Sequence, residues 1–169
     1  LSVLRTHGIT KDPKRLSKNP GGWYHEMKDL GFNYRLTEIQ AALGLSQLKS
    51  AEEGLARRRE IAHKYREAFS KNPNSTLPQE PAGHAYHLYV IRTPRRLDLY
   101  NHLRSHQIFS QVHYIPMHLH PFYRQFGWKE GDFPHSEEYY DTCLSLPMFP
   151  SLTNEVQVFV ISKVLEGVQ

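Results

Sequence analysis

The stretch "KNPNSTLPQEP", residues 71–81, constrains the fold of this chain more than any other segment. Its prolines fix φ and remove backbone donors, so neither a helix nor a central strand can run through it. We therefore predict a boundary here, which separates residues 1–75 from residues 76–169.

The segment beyond this boundary alternates strand-like and helical patterns. "HAYHLYVIRT" (84–93) and "FSQVHYI" (109–115) are rich in aromatic and β-branched residues, which predicts two strands. "RRLDLYNHLRSH" (95–106) between them predicts a helix, followed by a short helix near 135–143 and an amphipathic helix that Thr153 caps. A strand–helix–strand unit of this kind predicts a small α/β domain over 76–169.

The front of the chain reads as a basic loop, residues 10–29, followed by two helices. Thr37 and Gln40 have the spacing of a capping box, so the first helix should begin at Thr37. A second helix is predicted over 50–70. Apolar positions give the first helix a face that we expect to pack tightly: Leu36, Ile39 and Leu43.

Composition excludes several classes of protein. The chain has 169 residues, of which 39% are hydrophobic and 22% charged, as is typical of a globular protein. Its net charge of +4 favours an anionic ligand. No apolar run is long enough to predict a membrane span. The single cysteine, Cys143, indicates a reducing cytoplasm and is interpreted as a buried small hydrophobe. "RRR" (57–59) is interpreted as a solvated helix face, so nucleic acid is not an expected partner.

Asn33, Tyr34 and Arg35 directly precede the first helix. A helix N-terminus attracts anions, and Arg35 adds a planar cation suited to phosphate oxygens. The alternative is structural: Arg35 would close onto a nearby carboxylate and Asn33 would lie in a turn. Spacing alone leaves both interpretations open.

A second polar group lies in "QVHYIPMHLHPFY", residues 111–123. His113, Tyr114, His118 and His120 follow a predicted strand end, where ligand-contacting loops are common. The histidine spacing matches no metal motif, and no cysteine or paired carboxylate supports one, so we predict no metal site. A proline-stiffened surface loop and a loop that binds a polar substrate both remain possible.

Four segments in order resemble the DegT/StrS-type sugar aminotransferases, which depend on pyridoxal phosphate and have aminotransferase fold type I. They are "LRTHGIT", "GFNYRLTEIQAALGLSQL", "VHYIPMHLHPFY" and "SLPMFPSLT". The resemblance implies the C-terminal part of such an enzyme, with the end of the large domain and its connecting helices in 1–75 and the small α/β domain in 76–169. It also implies that the Schiff-base lysine lies upstream of Leu1, so that this chain contains no catalytic residue.

The same resemblance assigns roles to individual residues. It implies that Asn33 reaches the cofactor phosphate of the other subunit in a homodimer with shared active sites, and that Arg35 lies in the same region. Five residues are implied to face the substrate: Tyr34, His113, Tyr114, His118 and His120.

The implied reaction is amination of a nucleotide-linked 4-keto-6-deoxy sugar. The resemblance further implies that the sugar is UDP-linked, that glutamate is the amino donor, and that the role is surface-glycan synthesis. "GGWYHEMKDLGFNYR" and "VHYIPMHLHPFYR" resemble the pseudaminic acid branch most. Two alternatives stay open: a paralogue that dehydrates its sugar, and a non-catalytic module that binds a nucleotide sugar or a dimer partner.

Overall fold

The computed structural model describes residues 1–168, which form two compact units. The first unit is Leu1–Ser50, and the second begins at Ala51 and extends to the end of the described chain. The structure thus divides the chain at a different place from the sequence boundary at residue 75. The reason is that the helix which begins at Ala51 contributes side chains to the core of the second unit.

The first unit contains a short antiparallel pair and one helix. Strands β1 (Ile9–Thr10) and β2 (Glu26–Met27) pair, and helix α1 spans Glu38–Lys49. As predicted, Thr37 is the N-cap, and its side chain and that of Gln40 form a reciprocal capping box.

The predicted packing face of α1 is exposed. None of the 12 residues of this fully described helix is buried. Ile39 is 83% exposed and Leu43 62%. Within residues 1–168 this predicted packing face is therefore not covered, and an apolar surface is left accessible.

The second unit contains most of the regular structure. In chain order its elements are α2 (Ala51–Phe69), β3 (Tyr89–Arg92), α3 (Arg96–Ser105), a 3₁₀ turn (Met117–Leu119), α4 (Pro121–Arg124), α5 (Pro134–Thr142), β4 (Cys143–Leu146) and α6 (Asn154–Gly167). The predicted helices near 50–70, 95–106, 135–143 and after Thr153 are all confirmed.

The partner strand of β3 is not the predicted one. Residues 109–115 form only an isolated bridge, between Gln111 and Ser145, whereas β4 pairs with β3 antiparallel along its whole length. Phe109 and Tyr114 are 66% and 74% exposed, so the aromatic content of this segment is not buried. All four residues of β4 are buried, and burial decides which segment completes the sheet.

Helix α2 anchors the core of the second unit. Tyr65 is fully buried, stacks on Phe69 with ring centroids 5.8 Å apart, and donates its hydroxyl to the Pro147 carbonyl at 2.9 Å. The other large, fully buried side chains are Tyr89, Ile61, Ile91, Leu99, Leu103, Leu144, Gln157, Val160, Val164 and Val168. The core therefore joins α2, the β3–β4 sheet, α3 and α6.

The arginine triplet at 57–59 is not a simple solvated face. Arg58 is half-buried and its Nη1 donates to the carbonyls of Tyr86 at 3.1 Å and Met148 at 2.9 Å. Arg57 and Arg59 also donate to carbonyls of distant loops. Their guanidinium groups satisfy backbone acceptors that regular structure leaves unpaired.

Cys143 is completely buried at the start of β4, and burial raises the pKa of its thiol. A protonated, inaccessible thiol is a poor nucleophile, which confirms its interpretation as a small core residue. Over the described part of the chain, no helix combines the length and apolarity that crossing a membrane requires.

Candidate functional site

Asn33 and Arg35 lie in a loop that is held against the first residues of the chain. Asn33 forms an antiparallel bridge with Thr6, and the Tyr34 N–H donates to the Arg5 carbonyl at 2.9 Å. These backbone contacts fix the loop directly before α1. The orientation of its side chains is therefore set by local pairing, even though they are exposed.

The side chains of this loop form a short hydrogen-bonded chain. Arg35 Nε donates to Asn33 Oδ1 at 3.1 Å, and Arg35 Nη2 lies 3.2 Å from His7 Nε2. Within residues 1–168, Arg35 makes no salt bridge with a carboxylate. The alternative interpretation, an arginine closed onto a nearby acid, is therefore not supported by these residues.

The N-terminus of α1 offers fewer free donors than the sequence pattern indicates. The capping box engages the N–H groups of Thr37 and Gln40, and Glu38 places a negative charge in the first turn. An anion beside this helix would thus depend on Asn33 and Arg35 more than on the helix terminus itself.

Tyr34 presents an accessible aromatic surface next to this polar chain. Its ring stacks on Phe32 with centroids 4.9 Å apart and planes 7° apart, and Tyr34 is 69% exposed. Nearly parallel stacking holds the ring in place while leaving one face open to a planar or sugar ligand.

His113 and Tyr114 lie on the segment beside β4. His113 Nδ1 is 2.8 Å from Ser145 Oγ. The His113 and Tyr114 rings meet edge to face with centroids 4.7 Å apart. Tyr114 remains 74% exposed. The histidine is thus held by the sheet, and the tyrosine is accessible.

His118 is buried and paired with an acid. Its Nε2 lies 2.7 Å from Glu137 Oε1, and only 7% of the histidine is exposed. The backbone N–H of Gly131 and then the His118 ring lower the pKa of Glu137, and a hydrogen bond from the Phe133 N–H adds to this. An ionised Glu137 therefore orients the His118 ring.

An aromatic cavity of about 370 Å³ opens beside His118. His118 packs against Phe133 with ring centroids 4.8 Å apart, and Trp128 also packs against Phe133 with ring centroids 5.4 Å apart. The full lining is Met117, His118, Tyr123, Trp128, Phe133 and Ser136. Apolar rings with a few polar groups are typical of a ligand pocket.

The three candidate histidines of the second unit thus lie in distinct environments. His113 contacts Ser145, His118 contacts Glu137, and His120 is half-buried immediately before α4 without a side-chain cap bond. In the described range these histidines do not gather as metal ligands. Among the described residues, the side chains that lie close enough together to hold a metal ion are those of His102, His106 and Glu166.

Sequence reasoning missed several partners of the predicted residues. His7, Glu137 and Ser145 each hold a candidate side chain from 28, 19 or 32 positions away. His7 stands inside the segment "LRTHGIT", so its presence in a family-like motif was the available signal. No comparable signal marks Glu137 or Ser145.

Comparisons with known proteins agree on one family. Residues 1–165 match the DegT/DnrJ/EryC1/StrS aminotransferase family. An uncharacterised protein of Methanocaldococcus jannaschii is 39% identical over 97% of this chain and 45% of its own length. The UDP-4-amino-4,6-dideoxy-N-acetyl-beta-L-altrosamine transaminase of Campylobacter jejuni is 34% identical over 95% of this chain and 42% of its own length.

A solved structure shows the same architecture. The Helicobacter pylori aminotransferase PseC, described as involved in pseudoaminic acid biosynthesis, has a TM-score of 0.78 and 31% identity over 99% of this chain and 43% of its own. The chain thus spans less than half the length of the proteins it matches, and its fold is that of the C-terminal part of fold type I aminotransferases. By its sequence and its fold, this chain belongs to the DegT/DnrJ/EryC1/StrS aminotransferase family.

Proposed function

We propose that the full-length protein containing this chain is a pyridoxal-phosphate-dependent aminotransferase that aminates a nucleotide-linked 4-keto-6-deoxy sugar. We propose UDP as the nucleotide, glutamate as amino donor and surface-glycan synthesis of the pseudaminic acid type as the role. The observation that carries the proposal is the 34% identity to the Campylobacter altrosamine transaminase over 95% of the chain.

The residues before α1 have the chemistry that a cofactor phosphate needs. Asn33 Oδ1 is occupied by Arg35, while no hydrogen bond among residues 1–168 uses the Asn33 amide nitrogen. That nitrogen can donate to a phosphate oxygen, and the Arg35 guanidinium adds a permanent positive charge. Donor and cation are both exposed, so the donor set fits a dianion bound at the surface of this unit, as in a site shared between subunits.

When bound, pyridoxal phosphate supplies the electron sink that amino transfer requires. The part of this chain is to bind and to orient. Asn33 and Arg35 would hold the phosphate and so fix the position of the ring. Tyr34 and Tyr114, each with an exposed ring, would offer stacking surfaces to the nucleotide sugar.

The histidines would contribute contacts to the polar substrate. Glu137 holds the His118 ring at the edge of the aromatic cavity, and Ser145 holds His113. Rings fixed in this manner present one defined nitrogen to a ligand hydroxyl without the cost of ordering a free side chain. His120, half-buried directly before α4, would add a further contact to the substrate.

The test of this function is nitrogen transfer by the full-length protein. It is incubated with pyridoxal phosphate, glutamate labelled with heavy nitrogen and a UDP-linked 4-keto-6-deoxy sugar, and the sugar product is analysed by mass spectrometry. We expect heavy nitrogen in the sugar. Loss of the sugar hydroxyl without nitrogen gain would identify the dehydratase, and binding of the nucleotide sugar without turnover would identify the non-catalytic module.

A further inference from the structure

Two histidines and one glutamate converge where α3 packs against α6. His102 lies in the last turn of α3 and His106 is its C-cap, so they are one helical turn apart, and Glu166 lies near the end of α6. The centroids of the His102 and His106 rings lie 4.6 Å apart. One ligand atom from each of the three residues falls within 4.8 Å of the others.

Local hydrogen bonding prepares His106 as a ligand. Its Nδ1 lies 2.9 Å from the His102 carbonyl, which can only accept, so Nδ1 carries the proton and donates. Nε2 is then left with a lone pair. This arrangement, in which one ring nitrogen donates to a carbonyl and the other is free, is the one found in metal-binding histidines.

His102 has a buried nitrogen without a partner. Its Nε2 is inaccessible to solvent and has no hydrogen-bond partner among residues 1–168. The nearest carboxylate oxygen is Glu166 Oε2, 3.9 Å away, which is beyond hydrogen-bonding distance. Buried polar atoms are nearly always satisfied, so this nitrogen indicates a missing partner.

The close approach of α6 to this cluster depends on Gly167. A Cβ at this position would come within 2.8 Å of Leu99 and 2.9 Å of His102. Only glycine therefore lets the end of α6 lie directly on the His102 ring. The next residue, Val168, is buried in the core, so the backbone that follows Glu166 is fixed beside the cluster.

We propose that His102, His106 and Glu166 bind one zinc ion, or a chemically similar divalent transition metal, and so connect α3 to α6. Two imidazole nitrogens and one carboxylate form a ligand set that zinc accepts in tetrahedral geometry, with water in the fourth position. Zinc bonds of 2.0–2.2 Å bring ligand atoms to about 3.4 Å from one another. Rotation of the exposed Glu166 side chain would bring its carboxylate closer to the two imidazoles.

Lys163 competes with the metal for the carboxylate. Its Nζ lies 3.0 Å and 2.8 Å from the two oxygens of Glu166. A carboxylate has lone pairs for both partners, but the ammonium charge opposes a divalent cation. If Glu166 binds the metal, removal of Lys163 should therefore strengthen zinc binding. If Glu166 only forms an ion pair with Lys163, removal of Lys163 should not strengthen it.

The test is isothermal titration calorimetry, in which the metal-free full-length protein is titrated with zinc in the presence of its cofactor. We expect one zinc per chain at this site, at least tenfold weaker binding in His102→Gln and in His106→Gln, and tighter binding in Lys163→Met. The matched control is His63→Gln, which removes an exposed histidine 3.4 Å from Glu67 and should leave affinity unchanged.

Equal zinc affinity in wild type, His102→Gln and His106→Gln would overturn the proposal, as would weaker binding after Lys163→Met. Circular dichroism of each metal-free variant confirms folding before titration. If a histidine variant does not fold, Glu166→Gln provides the same comparison with a nearly isosteric change, and unaltered affinity there would equally overturn the site.

Discussion

Replacement of Arg58 by methionine tests whether the arginine triplet of α2 holds loops together. Methionine keeps an unbranched apolar stem with good helix propensity and removes only the guanidinium. Three hydrogen bonds are lost: two short ones to the carbonyls of Tyr86 at 3.1 Å and Met148 at 2.9 Å, and a long one to the carbonyl of His87 at 3.5 Å. Both loops then lose a tether to α2.

The magnitude follows from the type and exposure of these bonds. Hydrogen bonds to charged groups contribute roughly 1.5–3 kcal/mol, and neutral ones about 1 kcal/mol. Because Arg58 is half-buried and the freed carbonyls can partly rehydrate, we take about 1 kcal/mol for each of the two short bonds, or about 2 kcal/mol in all. A free energy of this size corresponds to about a 30-fold change in an equilibrium constant.

Native-state hydrogen exchange of the full-length protein measures this change directly. We expect core amides of β3 and α6 to exchange about 30-fold faster in Arg58→Met. The matched control is Arg59→Met, the adjacent position, whose single 3.3 Å bond comes from an exposed side chain. It should change exchange by about twofold or less. Equal effects of the two substitutions would refute the assignment of a tethering role to Arg58.

Three further substitutions have defined outcomes. Tyr65→Phe leaves the Pro147 carbonyl without its donor at 2.9 Å and should destabilise the second unit by about 1 kcal/mol in the same exchange experiment. Leu103→Ala empties a fully buried position and should cost about 3 kcal/mol, measured as a lower thermal midpoint. Glu137 has a lowered pKa, so its contribution to stability is present above the unfolded-state carboxyl pKa of about 4.3 and is lost as pH falls through the lower folded value. Glu137→Gln should therefore be less stable than wild type at neutral pH, and the difference in thermal midpoint should close in acid.

The helices could be predicted from the sequence because their signals are local. Thr37 and Gln40 cap α1, and Thr153 caps α6, through contacts within three residues. The partner of β3 could not be predicted in this way. Residues 109–115 and β4 both contain strand-forming residues, and the choice between them depends on which segment is buried in the core.

The residues of the candidate site come from a motif resemblance and stay a prediction, whereas their contacts could not be predicted from the sequence at all. Motif resemblance selected Arg35 and His118, but the residues that contact their side chains, His7 and Glu137, lie 28 and 19 positions away in sequence. The same limit applies to the apolar face of α1, on which Ile39 is 83% exposed. An apolar periodic face predicts burial, and nothing in the residues states what will cover it.

Cofactor affinity of Asn33 variants tests most directly whether this chain supplies part of a phosphate site. Asn33→Ala in the full-length protein should weaken binding of pyridoxal phosphate about 10- to 150-fold, equivalent to roughly 1.5–3 kcal/mol for a charge-assisted hydrogen bond. Asn33→Asp keeps the acceptor for Arg35 but replaces the amide donor with a negative charge, so its loss should be at least as large. Asn101→Ala, at an exposed position of α3, is the control and should not change affinity. If Asn33→Asp binds the cofactor as wild type does, Asn33 only orients Arg35, and the proposed phosphate contact is wrong.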